Sequence, residues 1–425
     1  ISLSEKIKTY IVLPIMNRMR TNINFVTYLA LSIFFLFCTN LSTNAAPPSA
    51  KPEFIIPFEI QNNFIILNFR INSTVNLKFI YDSGSEHSLF FEKGIAEYLQ
   101  FKFIRSIQIF GSDLSMPINA TVASGIHFET ENKQVLKSDI IVLDENIFKL
   151  NEYFGIEISG IIGNSMFRNK IIELDYDKSL LKIYAIEQFN PGKLKFKEIP
   201  SKWIKGKPYV LPEISTTLSL PPFPTTLLFD TGASIGLLLY TNFLTKSDIP
   251  DKLLTGAMGM GLGGPIEGYI GRVDNIIMED FKFDNVITHY QKLDSSKLNI
   301  DESDKHGIMG NALISHFNVA LDFSNQKLYL KKNSTSNKKM DVDRSGLFII
   351  ATGTNLDEYV VKDVIKSSAA EDAGILPGDI IHRFNGLTIR IFTLSDLNSR
   401  LSSSRKKKIK MVLIRDGIKM KKTIY

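Results

Sequence analysis

The segment Phe79-Ile80-Tyr81-Asp82-Ser83-Gly84-Ser85 returns 148 residues later as Leu228-Phe229-Asp230-Thr231-Gly232-Ala233-Ser234. Each copy is an apolar strand that runs into Asp, a small hydroxyl residue and Gly. A second repeat keeps step with the first. Gly160-Ile161-Ile162-Gly163-Asn164-Ser165-Met166-Phe167 is matched by Gly307-Ile308-Met309-Gly310-Asn311-Ala312-Leu313-Ile314, at an offset of 147. Twelve residues past the second glycine of each copy lies Leu174-Asp175-Tyr176 or Leu321-Asp322-Phe323. An apolar strand then closes each copy, at Leu180–Tyr184 and Leu328–Leu330. Two motifs repeating at nearly one offset require two halves of equal plan, each a β unit that delivers one Asp turn.

The residue types of the first repeat suit one chemistry. Two carboxylates held close together cannot both ionise, so they share a proton. One is then a base toward water and the other an acid toward a substrate carbonyl. Ser83 and Thr231 offer hydroxyls that can cross-brace the two turns. Gly84 and Gly232 let the backbone turn tightly and approach the carboxylates. A single Asp-Ser-Gly is ordinary turn chemistry, whereas two copies after apolar strands are far more specific. The pair resembles the active-site motif of the aspartic proteases, the pepsins and retropepsins. The Gly-containing repeat resembles the strand that threads beside the catalytic loop in each lobe of those enzymes. Asp175 and Asp322 lie between apolar strand residues and before a turn, and are read as structural.

Residues 1–45 read as an export signal or an N-terminal anchor. Phe25–Cys38 is an apolar run of 14 residues, short for a membrane span. Thr43-Asn44-Ala45 before Ala46-Pro47 resembles a small-residue cleavage site. Cys38 is the only cysteine, so removal of this segment leaves no disulfide, thiolate metal site or cysteine nucleophile.

Residues 53–190 are expected to form the first lobe. Ile65, Leu67, Phe69 and Ile71, then Val75, Leu77 and Phe79, alternate at period two and deliver Asp82. A polar loop with Gly111, Ser112 and Pro117 lies where a flap belongs. Residues 191–206 are polar and basic and read as the connection between lobes, with Trp203 packing against one of them. Residues 207–333 repeat the plan. There Tyr209–Leu218, a turn at Pro221–Pro224 and Thr226–Phe229 deliver Asp230. Gly256–Gly271 holds seven glycines in sixteen residues. It formally satisfies G-x-G-x-x-G, but Pro265 and Gly268 oppose the helix a dinucleotide site requires. A flap hairpin is the better reading, with Gly263, Gly264 and Tyr269 as its candidate residues. Residues 331–345 are nearly free of apolar side chains and read as a linker.

Residues 346–425 resemble a PDZ domain of the kind found in exported bacterial proteases. Val360–Ile365 reads as a strand and Ser367–Gly374 as a short capped helix. Leu376-Pro377-Gly378-Asp379-Ile380-Ile381 and Phe384-Asn385-Gly386 then read as turn, strand and turn. The resemblance places a carboxylate-binding loop at Gly346, Leu347, Phe348 and Ile349, where a peptide C-terminus would add as a strand.

The net charge of +6 is unevenly spread. From Arg344 onward there are 15 basic and 8 acidic residues. The cluster Arg405–Lys410 could meet anionic lipid or an acidic peptide, or simply be a solvated loop. Nothing else points to nucleic acid. His87, five residues after Asp82, either tunes the pair or lies on the surface, and Glu86 would add negative charge if it faced inward.

Together these features predict a mainly β chain, a two-lobed acid-protease-like pseudo-dimer followed by a PDZ domain. The resemblance is to bacterial retropepsin-like proteases with PDZ modules. It implies an exported aspartic endopeptidase, periplasmic or secreted, with Asp82 and Asp230 catalytic and no metal or cofactor. Its partners would be peptide or protein substrates, and peptide C-termini at the PDZ domain. The alternative is a non-catalytic peptide-binding or adaptor protein of the cell envelope.

Overall fold

The computed structural model describes residues 51–110, 117–146, 150–216, 219–250, 253–261, 264–293, 305–338, 343, 345–402 and 408–425. The export or anchor segment 1–45 therefore lies outside the described residues, as do Gly111, Ser112, Gly263 and Arg405–Lys407.

Period-two alternation builds the first hairpin. Ile65, Leu67, Phe69 and Ile71 of β2 (Phe64–Ile71) are buried. A tight turn at Asn72 and Ser73, with φ of 46° and 56°, leads into β3 (Val75–Tyr81) and so to Asp82. Ahead of them runs β1 (Phe54–Gln61). The lobe continues through β4 (Leu89–Phe90), helix α1 (Lys93–Tyr98), β5 (Lys102–Phe110), β6 (Pro117–Glu129), β7 (Val135–Leu143) and helix α2 (Leu150–Phe154). It closes with β8 (Gly160–Ile162), β9 (Ile171–Asp175) and β10 (Leu180–Tyr184).

Between the lobes lie β11 (Lys197–Ile199) and β12 (Ser201–Ile204). The stretch is thus more than a connection: β11 pairs with β23 (Lys327–Lys332) and β12 with β13 (Lys207–Val210). The second lobe adds β14 (Glu213–Thr216), β15 (Ser219–Pro224), β16 (Leu227–Asp230), β17 (Leu237–Tyr240), β18 (Leu254–Gly261), β19 (Gly264–Met278) and β20 (Phe281–Gln291). It ends with β21 (Gly307–Gly310), helix α3 (Asn311–Ile314), β22 (Phe317–Asp322) and β23. The prolines at 221–224 form part of strand β15 rather than a turn. Among the described residues that strand pairs only with β14, so it is an edge where a missing N–H is tolerated. The expected continuous strand Tyr209–Leu218 is broken at Leu211-Pro212 into β13 and β14.

The two halves share one local topology. In the first, β3 runs parallel to β8, β8 antiparallel to β4, and β4 parallel to β7. In the second, β16, β21, β17 and β20 repeat those pairings. The repeated glycines exist because strands cross closely there. A Cβ on Gly160 would lie 2.1 Å from Leu89 O, and one on Gly307 would lie 1.9 Å from Leu238 O.

The halves meet through β9 and β22, paired antiparallel. Leu174 pairs with Val319 and Ile172 with Leu321, while Glu173 pairs with its own counterpart Ala320. That register is self-complementary, as a twofold relation between the halves requires. Beside it, Lys182 Nζ donates to Glu173 (2.8 Å) and Asp175 (2.7 Å), and Tyr184 OH donates to Glu173 (2.6 Å). Asp175 is therefore structural, as is Asp322, which accepts from Ser324 N and Asn325 N.

The polar stretch after β23 does not run free. Ser334 N donates to Asp177 (2.9 Å) and Ser336 Oγ to His316 O (2.5 Å), which ties it to both lobes. The Ser334 bonds hold the Asp177 carboxyl below its ordinary range.

The C-terminal module has the sheet order β24 (Leu347–Thr352), β25 (Glu358–Val364), β26 (Ile380–Phe384), β28 (Ile409–Arg415), β29 (Ile418–Ile424). The short β27 (Leu387–Thr388) pairs with β26. Helices α4 (Ala369–Asp372) and α5 (Leu394–Ser402) complete it. Its core is its own, built on residues such as Ile349, Val361, Phe384, Leu397 and Leu413. Asp379 is fully buried and gripped by Arg415 through bonds of 2.6 and 2.7 Å. Burial pushes its pKa up, but the Arg415 fork wins and holds it below the ordinary value.

Replacing Lys182 by Met should destabilise the chain by about 3–5 kcal/mol, because Glu173 and Asp175 would stay buried without their cation. Equilibrium denaturation would measure this. A loss within experimental error would mean that the cluster is solvated in solution.

Candidate active site

The ends of β3 and β16 bring the two Asp turns face to face. Ser83 Oγ donates to Phe229 O (2.7 Å) and accepts from Thr231 N (3.0 Å). Thr231 Oγ1 donates to Tyr81 O (3.0 Å) and accepts from Ser83 N (3.0 Å). Both hydroxyl residues are fully buried. Each turn is thus closed by the side chain and backbone of the other, in two equivalent halves.

The glycines bring the carboxyls close. A Cβ on Gly84 would lie 2.6 Å from Asp230 Cγ, and one on Gly232 would lie 2.3 Å from Asp82 Cγ. Neither position admits any other residue without moving an aspartate. Gly84 N donates to Asp82 Oδ1 and Gly232 N to Asp230 Oδ1, both at 2.7 Å. The two carboxyls hydrogen-bond to each other.

Burial raises the proton affinity of both aspartates, and at Asp230 the charge of Asp82 adds to the rise. The pair therefore keeps one shared proton well above the ordinary carboxylate range. Lys207, at the start of β13, opposes this and pulls both carboxyls down. Lys207 carries no motif, and only its place beside the pair reveals it. Asn164 lies in the second repeat, matched by Asn311, but its role shows only in the structure. Its Nδ2 donates to Ser83 O (2.7 Å) and Gly206 O (3.0 Å), anchoring the first turn to the segment before Lys207.

Other candidates fall elsewhere. Glu86 Oε1 lies 3.8 Å from His87 Nε2, and both side chains are substantially exposed. His87 is a surface residue whose carbonyl packs under Gly163. Gly264 opens β19, and Tyr269 pairs with Thr255 toward the base of the β18–β19 hairpin, 47% exposed. Gly263 lies outside the described residues. In the PDZ module only Gly346, with φ of 72°, precedes the strand. Leu347, Phe348 and Ile349 already belong to β24, with Leu347 and Ile349 facing the core.

The model of the PDZ domain family matches residues 360–415. This module is accordingly a PDZ domain, which supports peptide or protein partners. No curated protein matches the chain. Solved structures that resemble it include the Basic 7S globulin from soybean, at 8% identity and a TM-score of 0.41. That likeness covers 67% of this chain and 97% of the globulin.

Thr231→Ala leaves the buried Ser83 N–H without its acceptor and should cost about 1–3 kcal/mol. Thr231→Ser keeps both bonds and should recover most of that loss. Denaturant midpoints of the two variants would check the pair. Equal stability of Thr231→Ala and the parent would remove the brace from the account.

Proposed function

We propose that this chain is an aspartic endopeptidase whose PDZ domain recruits substrates or regulates cleavage. The observation that carries the reading is the mutual seating of Asp82 and Asp230, each against the other turn's glycine; carboxyls held so close share one proton. In this reading the ionised carboxylate takes a proton from a water held between the pair. The water oxygen attacks the peptide carbonyl carbon while the protonated carboxyl donates to the carbonyl oxygen. When the tetrahedral gem-diol collapses, the C–N bond breaks, the carboxyl that took the water proton gives it to the leaving amine nitrogen, and the other carboxylate takes back a proton from a diol hydroxyl, so the pair again holds one proton. Ser83, Thr231, Gly84 and Gly232 position the carboxyls and take no part in proton transfer. The β18–β19 hairpin is proposed as a flap over bound peptide. The first 45 residues are proposed to direct export, with the periplasm or the exterior as the site of action and anchoring if they are retained.

Purified protein should cut an unbiased peptide mixture, and Asp82→Asn and Asp230→Asn should each abolish cutting. An inert parent at every pH, or one active variant, would defeat the shared-pair mechanism. Activity should rise and fall with pH, since both the fully protonated and the fully ionised pair are idle. Lys207→Met removes the charge that favours ionisation, so both limbs should move to higher pH. Unmoved limbs would show that Lys207 does not act on the pair.

Stability follows the opposite sense. A carboxyl whose proton affinity rises on folding stabilises most below its unfolded value, about pH 4, and loses that contribution as pH rises. Asp230→Asn should therefore raise Tm at neutral pH, with the gain fading toward pH 3. A Tm difference that does not change with pH would contradict the shared-proton account.

A further inference from the structure

The outer strand of a PDZ sheet is where an extended peptide adds. Here that strand is β24, and among the described residues no other strand pairs with its outer edge. The first lobe stands against it instead. Helix α2 packs on β24, with the ring of Tyr153 stacked on Phe348 at 5.7 Å and 28°. Directly after it, Gly155 sits between strand and helix. A Cβ there would lie 2.7 Å from Leu394 Cβ on α5 and 3.6 Å from Ala351 Cβ on β24. Farther along α5, Asn398 Nδ2 donates to Asn62 Oδ1 (3.0 Å). One lobe therefore touches both the strand and the helix of the PDZ domain.

The backbone donors ahead of β24 are also engaged. Ser345 N and Oγ both bond to Asp343 Oδ1 at 2.7 Å, and Gly346 N donates to the same carboxylate. Leu347 N donates to Ser345 Oγ (3.1 Å). A carboxylate of the chain itself thus meets the N–H groups at the mouth of β24, where a peptide's terminal carboxylate would bind.

We propose that the PDZ groove is held closed in cis by residues 150–155 and the Asp343 carboxylate. Peptides with a free C-terminal carboxylate open it by taking their place. The closed groove connects to the aspartate pair through two adjacent residues. Asn62 holds α5, while Asn63 Nδ2 donates to Ser234 O (3.0 Å) and Asn63 O accepts from Asn311 Nδ2 (2.8 Å). Ser234 lies in the Asp230 turn, and Asn311 follows Gly310, the register partner of Asp230. Strand β18 of the glycine-rich hairpin also lies against β25. Opening the groove therefore releases contacts that bear on the second Asp turn and the hairpin. This last step rests on the peptidase reading, whereas closure of the groove does not.

The test uses the full chain and a pool of fluorescein-labelled peptides with four randomised final residues, with an amidated pool as control. Tyr153→Ala and Asp343→Ala remove one closing contact each, and thermal melts of both variants beside the parent establish that each is folded. Anisotropy should show each variant binding the free-carboxylate pool about tenfold more tightly than the parent, since less of the protein is held closed. The amidated pool should bind weakly to all three. Equal binding by parent and variants, absent binding in all, or indifference to amidation would overturn the closure. In a second arm, the unlabelled free-carboxylate pool is added during cleavage of an amidated peptide. It should stimulate the parent and leave Tyr153→Ala unchanged. A binding shift without stimulation would overturn the coupling alone. A chain that cuts nothing would fail the peptidase reading and leave the binding result to decide the closure.

Discussion

The site depends on an exchange of two hydroxyls between two turns. Ser83 and Thr231 each reach across the interface to bond the backbone just before the other aspartate. Without that exchange, two carboxyls sharing one proton would separate, because each would be better solvated alone. The backbone bonds act on the carboxyls themselves, and the glycines let the turns approach far enough. The arrangement stores an unfavourable burial of charge and holds it against relaxation. Reactive carboxyls need such an environment, and it lowers stability at neutral pH.

The same twofold logic runs through the sheet that joins the halves. Glu173 pairs with Ala320, its own counterpart, so the relation between the halves passes through that pair. There the symmetry of side chains ends. Glu173 faces Lys182 and Tyr184 in a buried polar cluster, while the second half places Ala320, Tyr329 and Lys331 at the equivalent positions. One half carries an ion-paired cluster, and the other has no carboxylate at the position of Glu173 and sets Lys331 over the Phe196 ring, so the two copies differ in packing while sharing backbone register.

Much of this was legible because it repeats. A motif written twice at one offset marks both aspartates, both glycines and the strands that carry them. The alternation in Ile65–Ile71 marks the first hairpin, and the Leu376–Ile381 run marks the PDZ turn. Strands without such signatures were not legible. Strand β15 is rich in proline, and β11 and β12 are short and charged, so their pairing depends on neighbours far along the chain. Lys207 and the Asn62–Asn63 turn are invisible for the same reason. Each acts through one contact with a distant segment, and a single polar residue has no period to detect.

The contact between lobe and PDZ domain belongs to this illegible class, yet it changes what the second module does. A PDZ domain on a free tether would only raise the local concentration of its peptide partners. A PDZ domain whose strand and helix both touch the first lobe cannot bind an extended peptide without first losing those contacts. Binding then competes with docking, and its apparent affinity falls by the fraction of protein that is docked. The stretch after β23 favours this arrangement, because Ser334 and Ser336 are tied to the lobes and little chain remains before Asp343. That short span keeps the PDZ domain near its docking face even when a peptide displaces α2. Closing again is then a local step.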